Sequence, residues 1–157
     1  MGSSITGSRE MASRLIDFIV VEENDQHFDP FKQAFDHFKF EGRLLRLRCL
    51  SELADLLEDP GRAELDNFKP RLILLAVPRF EEKVRQFLEA RKQHPYFRKI
   101  PLIVLMGAGL LPEDKRAFYE CGVNSVVLKP QDPNGYIQLV EVIGRYWFSV
   151  VMLPTSD

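Results

Sequence analysis

Short apolar runs alternate along this chain with longer stretches in which apolar residues recur every three or four positions. The first run, Leu15 to Val21, is mostly apolar on both faces, broken by Asp17, as a central strand of a parallel sheet should be. Asp29-Pro30 then predicts a helix start, a carboxylate to cap the free amides followed by proline at the first helical position. Phe31, Ala34, Phe35 and Phe38 continue that helix along one face. Leu44 to Cys49 alternates apolar and basic residues, which predicts a strand nearer the sheet edge. Ser51 and Glu52 open a short helix over Leu53 to Leu57. The polar stretch from Glu58 to Lys69, holding Pro60 and Gly61, reads as a loop.

The second half repeats the alternation. Leu72 to Val77 predicts a third strand, and Val84, Phe87, Leu88 and Arg91 mark a third helix. Ile100 to Met106 is a fourth strand. Pro112 opens a fourth helix that stops before Gly122, and Val123 to Leu128 is a fifth strand. Asp132-Pro133 starts a last helix that runs to about Val151. Strands and helices in strict alternation predict an α/β fold, a doubly wound parallel sheet with helices on both faces in three layers. The pattern does not fix the strand order. Residues 1–12 lack a long apolar core and are expected to be a tag or a disordered tail, with 13–157 forming one domain.

Composition narrows the function classes. With 157 residues, the chain suits one domain, and its net charge of −2 gives no general affinity for nucleic acid or anionic membrane. The longest apolar stretch, Ile100 to Leu111, contains Pro101, Gly107 and Gly109 and is too short to span a bilayer. Cys49 and Cys121 are far apart and predict reduced, structural thiols in a cytoplasmic protein. His27, His37 and His94 have no metal-ligand spacing. Gly107 and Gly109 lack the lysine and hydroxyl that a phosphate-binding glycine loop needs. No Ser-His-Asp or Cys-His arrangement stands out, so the expectation is a protein that is not an enzyme and carries no cofactor.

Three features fall at predicted strand ends: Glu22-Glu23 after the first, Ala76 in the third and Lys129-Pro130 after the last. In their order and spacing, from about Leu15 to Val151, the chain resembles the receiver domain of two-component response regulators. It most resembles the stand-alone regulators that partner bacterial phytochromes and related histidine kinases. The ending Ile143 to Pro154, the long loop before the third strand and Tyr96 to Pro101 share in the likeness. The resemblance implies a flavodoxin-like five-stranded sheet.

It also implies a site at the strand C-termini, where two carboxylates and an acceptor aspartate hold Mg²⁺, a hydroxyl and a lysine receive the phosphoryl group, and an aromatic residue reports the event. Glu22 and Glu23 match the acidic pair and Lys129 the lysine, with Gly107 beside the site. The acceptor position is Ala76, the hydroxyl position Met106 and the aromatic switch position Val126. Pro78 follows Ala76 by two residues, where the family has its proline four after the aspartate. A lone alanine would fit an engineered block of phosphorylation, but Met106, Val126 and the altered loop argue for a natural loss. The expectation is a pseudo-receiver.

Two carboxylates alone would hold a hard cation weakly, with most of its water retained, so Glu22 and Glu23 are expected to be a solvated pair, salt-bridged to Lys129. The last helix carries more apolar surface than one stripe can bury, because Trp147-Phe148 is followed by Val150 to Leu153. A dimer or partner surface is expected there, with Tyr136, Val140, Ile143, Trp147, Phe148, Val151 and Met152 as candidates. The partner implied is a histidine kinase, a downstream regulator or a second copy. Two other readings stay open: a receiver cut from a longer regulator with an output domain, and a small-ligand binder using the remodelled pocket.

Overall fold

A computed structural model describes residues 16–38, 42–59 and 68–145. The expected tail, most of the loop between residues 59 and 68, and Trp147, Phe148, Val151 and Met152 lie outside the described residues. Five parallel strands form one sheet: β1 (Ile16–Val21), β2 (Gly42–Leu47), β3 (Pro70–Ala76), β4 (Leu102–Met106) and β5 (Ser125–Leu128). Between and after them come α1 (Asp25–Phe38), α2 (Leu50–Glu58), α3 (Glu82–Gln93), a 3₁₀ turn (Phe97–Lys99), α4 (Pro112–Glu120) and α5 (Pro133–Arg145). The spatial order is β2-β1-β3-β4-β5, the flavodoxin-like winding. The chain moves outward from β1 to β2 and then returns past β1 to β3. The strand ends of β1 and β3 therefore flank the switch point at which ligands bind in open α/β sheets.

The pleat sorts the core into two layers. Ile19, Val21, Ile73, Leu75, Leu102, Val104 and Met106 face α2, α3 and α4, through Leu53, Leu56, Val84, Phe87, Leu88 and Phe118. Phe18, Val20, Leu72, Leu74, Ile103 and Leu105 face α1 and α5, through Phe31, Ala34, Phe35, Tyr136, Val140 and Ile143. Successive side chains alternate between the layers because a strand has a period of two.

Several expectations need correction. The first helix does not begin at Asp29-Pro30. It begins at Asp25, where Asn24 Oδ1 accepts from the Gln26 amide at 2.8 Å and the Asn24 carbonyl accepts from the His27 and Phe28 amides. Pro30 is tolerated inside α1 at the expense of one intrahelical hydrogen bond. The second strand stops at Leu47, and Cys49 is exposed, while Cys121 is buried. Tyr136, Val140 and Ile143 are not surface residues. They are 4%, 2% and 8% exposed because the i, i+4, i+7 stripe of α5 packs on the sheet beside α1.

A carboxylate in β1 is buried beside a partly exposed arginine of β2. Asp17, 4% exposed in β1, accepts from Arg43 Nε and Nη2 at 2.7 and 2.8 Å and from the Lys69 amide at 2.8 Å. Fork-to-fork geometry and a third donor satisfy the buried carboxylate.

Candidate functional site

At the C-terminal edge of the sheet an open cleft of about 570 Å³ is lined by Glu22, Glu23, His27, Ala76, Gly107 and Lys129, with Asn24, Val77 and Pro78 completing its wall. The sequence expectation placed six residues here, and five of them meet. Met106 does not. Its position in β4 puts its side chain in the layer under α2, α3 and α4, fully buried, with the even-numbered Leu102 and Val104. Only the Met106 backbone serves the site, its carbonyl accepting from the Lys129 amide at 2.6 Å.

Glu22 is the centre of the arrangement. It is 6% exposed, and its Oε1 lies 2.5 Å from Lys129 Nζ. Its Oε2 accepts from the Asn24 amide at 3.2 Å. The Glu22 amide donates to the Leu47 carbonyl at 2.9 Å, and its carbonyl accepts from Arg46 Nε and Nη2 at 3.2 and 2.9 Å. His27 Nδ1 stands 3.7 Å from Glu22 Oε1. Glu23, by contrast, is exposed. The adjacent carboxylates of the acidic pair thus have different environments: one is buried and neutralised, the other solvated.

Arg46 holds the loop that carries the pair. Its guanidinium lies 4.3 Å above the Phe28 ring and its Nη1 is 2.6 Å from Asp25 Oδ1. Arg46 and Arg48 together hold the Asp25 carboxyl below the usual carboxylate range. The alternating basic residues of β2 gave no sign of this role, because their partners on the β1–α1 loop are distant in sequence.

Ala76 ends β3, paired in register with Leu105, and lines the same cleft as Glu22. Gly107 is half-buried, with open space where a side chain would stand. Val126 is half-buried against the core layer under α4, and its amide donates to Tyr119 Oη at 3.0 Å. In the α1–α5 layer, Tyr136 Oη is buried without a hydrogen-bond partner among the described residues. Desolvation, followed by the nearby Glu22 charge, pushes the Tyr136 hydroxyl up to about 12.

No family model matches the sequence. Individual relatives do. The probable methanogenesis regulatory protein FilR2 of Methanothrix harundinacea is 30% identical over 132 residues, spanning 82% of this chain and 81% of that protein. Response regulator Rcp1 of Synechocystis sp. is 31% identical over 138 residues, spanning 88% of this chain and 92% of Rcp1. The chain belongs to the response-regulator receiver family.

Solved structures agree with the fold of this receiver. The phosphorylated cyanobacterial phytochrome response regulator RcpA matches with a TM-score of 0.77 at 23% identity, over 90% of this chain and 99% of RcpA. The Mn²⁺-bound form of Rcp1 matches with a TM-score of 0.75 at 25% identity, over 89% of this chain and 99% of Rcp1. The receiver is thus a two-component signalling domain. Among its described residues no helix is long and apolar enough to cross a membrane.

The family's divalent cation does not fit the groups that this receiver presents. A hard cation needs several oxygen ligands at one point. Here Glu22 gives one oxygen to Lys129 and the other to the Asn24 amide, Glu23 is exposed, and Ala76 has no oxygen on its side chain. Among the described residues no group of three or more His, Cys, Asp or Glu side chains is placed to hold a metal ion.

Proposed function

We propose that this receiver is a pseudo-receiver, which signals through protein association without becoming phosphorylated on an aspartate. The observation that carries the reading is the pairing of Lys129 with Glu22 beside the methyl group of Ala76. A phosphoryl group needs a nucleophilic oxygen at the end of β3 and cationic groups free to take its charge. The first is replaced by carbon, and the lysine that would supply the second already has a carboxylate partner.

A domain with such a site contributes through its surfaces. Its partner is read as a protein of a two-component pathway, either a histidine kinase or a downstream regulator. Tyr119, Leu128 and Val142, on α4, β5 and α5, stand 44%, 61% and 63% exposed and support an apolar docking face on that side.

The test is treatment with acetyl phosphate, and separately with beryllofluoride, in the presence of Mg²⁺. Intact mass and the amide shifts of Glu22, Val126 and Lys129 are then recorded. The expected result is no added mass and no shift at these residues. A phosphoryl adduct, or a saturable Mg²⁺-dependent shift, would overturn the reading.

A further inference from the structure

A second cleft, of about 400 Å³, lies at the opposite edge of the sheet, where α3 ends and the chain enters β4 and β5. Its walls carry Arg91, Lys92, Arg98, Lys99, Gly122 and Asn124. We infer that this cleft binds a small phosphate-bearing anion. It is separated from the Glu22 site by the full length of β4, five residues at roughly 3.3 Å each.

The buried member of the cluster is Arg91. It is 4% exposed, its Nη2 donates to the Ile100 carbonyl at 2.5 Å, and its Nε is buried with no hydrogen-bond partner among the described residues. A guanidinium out of water needs both a counter-charge and acceptors for its donors. The described residues supply one carbonyl and no carboxylate. Burial, with no acid opposing it, pulls the Arg91 guanidinium below its ordinary range.

Around it the charge is unbalanced in one direction. Lys92 pairs with Glu89 at 3.3 Å, but Arg98 and Lys99 make no ion pair among the described residues. The α3 C-terminus favours cations in its last turn, which accounts for Arg91 and Lys92. It does not account for Arg98 and Lys99, which follow in the 3₁₀ turn and face the same cleft.

Asn124 adds a neutral donor. Its Oδ1 accepts from the Leu102 amide at 2.8 Å, which fixes the side-chain orientation and leaves the Nδ2 hydrogens for a ligand. A planar guanidinium, ammonium groups and an amide donor around one concavity match the oxygens of a phosphate or diphosphate.

The experiment is titration of the isotopically labelled chain with inorganic pyrophosphate at constant ionic strength, followed by amide shifts. Saturable shifts at Ile100, Gly122 and Asn124 are expected. The double variant Arg98→Gln/Lys99→Gln should weaken binding about tenfold or more, the scale of losing one to two charge-assisted contacts. Asn124→Asp keeps an oxygen for the Leu102 amide and replaces the donor by a negative charge, so it should abolish binding with the fold intact. The inference is overturned by unsaturable shifts, by equal affinity in either variant, by the same response to chloride, or by shifts centred on Glu22 and Lys129 instead.

Discussion

Lys129 Nζ lies 2.5 Å from Glu22 Oε1, and the two side chains are 15% and 8% exposed. Removing one partner leaves the other charge largely buried, a change that costs about 3–5 kcal/mol where no other group can compensate. Lys129→Met should therefore lower the free energy of unfolding in urea by that order. The double variant Glu22→Gln/Lys129→Met should recover much of the loss. Equal stability of Lys129→Met and the parent would show that the pair contributes nothing to the fold.

Restoring the missing carboxylate should change what the cleft binds. Ala76→Asp places a further acid beside Glu22 and gives a hard cation the oxygen it lacks. Mg²⁺ affinity by isothermal titration calorimetry should rise by about tenfold or more over the parent. An unchanged affinity would mean that Lys129 outcompetes the ion even with both acids present.

Acid should weaken the fold partly through Asp114. Its side chain is buried and held by Arg79 Nε at 2.5 Å, with the Phe80 amide at 3.4 Å, and the Arg79 hydrogen bond depresses its carboxyl below the ordinary range. A depressed acid contributes stability above its unfolded value, about pH 4, and loses it as the pH falls toward the folded value. Asp114→Asn should be less stable than the parent at neutral pH and show a shallower loss of stability below about pH 4. Urea midpoints across that range would measure both effects.

Alkali should act through Tyr136. Its hydroxyl is raised to about 12, so the folded state keeps a proton that the unfolded chain releases near pH 10. The corresponding stability is complete below about pH 10 and disappears as the pH rises toward 12. Tyr136→Phe should flatten this alkaline loss. At neutral pH it should be neutral or stabilising by up to about 1 kcal/mol, since it removes a buried hydroxyl with no partner among the described residues.

The order of elements was legible because β1, β3, β4 and β5 are short apolar runs, β2 alternates apolar and basic residues, and each helix carries an apolar stripe. The α1 start was misread because Asp29-Pro30 carries a strong local signal, whereas Asn24 acts through a side-chain cap inside what looked like a plain acidic turn. Met106 matched a family position, but its direction follows from counting along β4, where even-numbered residues share a layer. Tyr136, Val140 and Ile143 have the spacing of a buried stripe, and the packing of α5 against α1 was what sequence could not supply. The Lys129–Glu22 pair was anticipated as part of a solvated acidic pair, whereas Glu22 is buried and only Glu23 is exposed. The Asp17–Arg43 pair and the exposed basic cleft below β4 were not anticipated, since each joins residues brought together only by the winding of the chain.

Glu22 follows β1 and Lys129 follows β5, strands that have β3 and β4 between them. Their ion pair is therefore a clasp across the edge of the sheet. Peeling the four-residue β5 away from β4 also separates a largely buried charge pair rooted in the centre of the molecule. The outermost strand, which would otherwise fray first, is drawn into the same opening event as β1. Amide exchange should report the two as one cooperative unit.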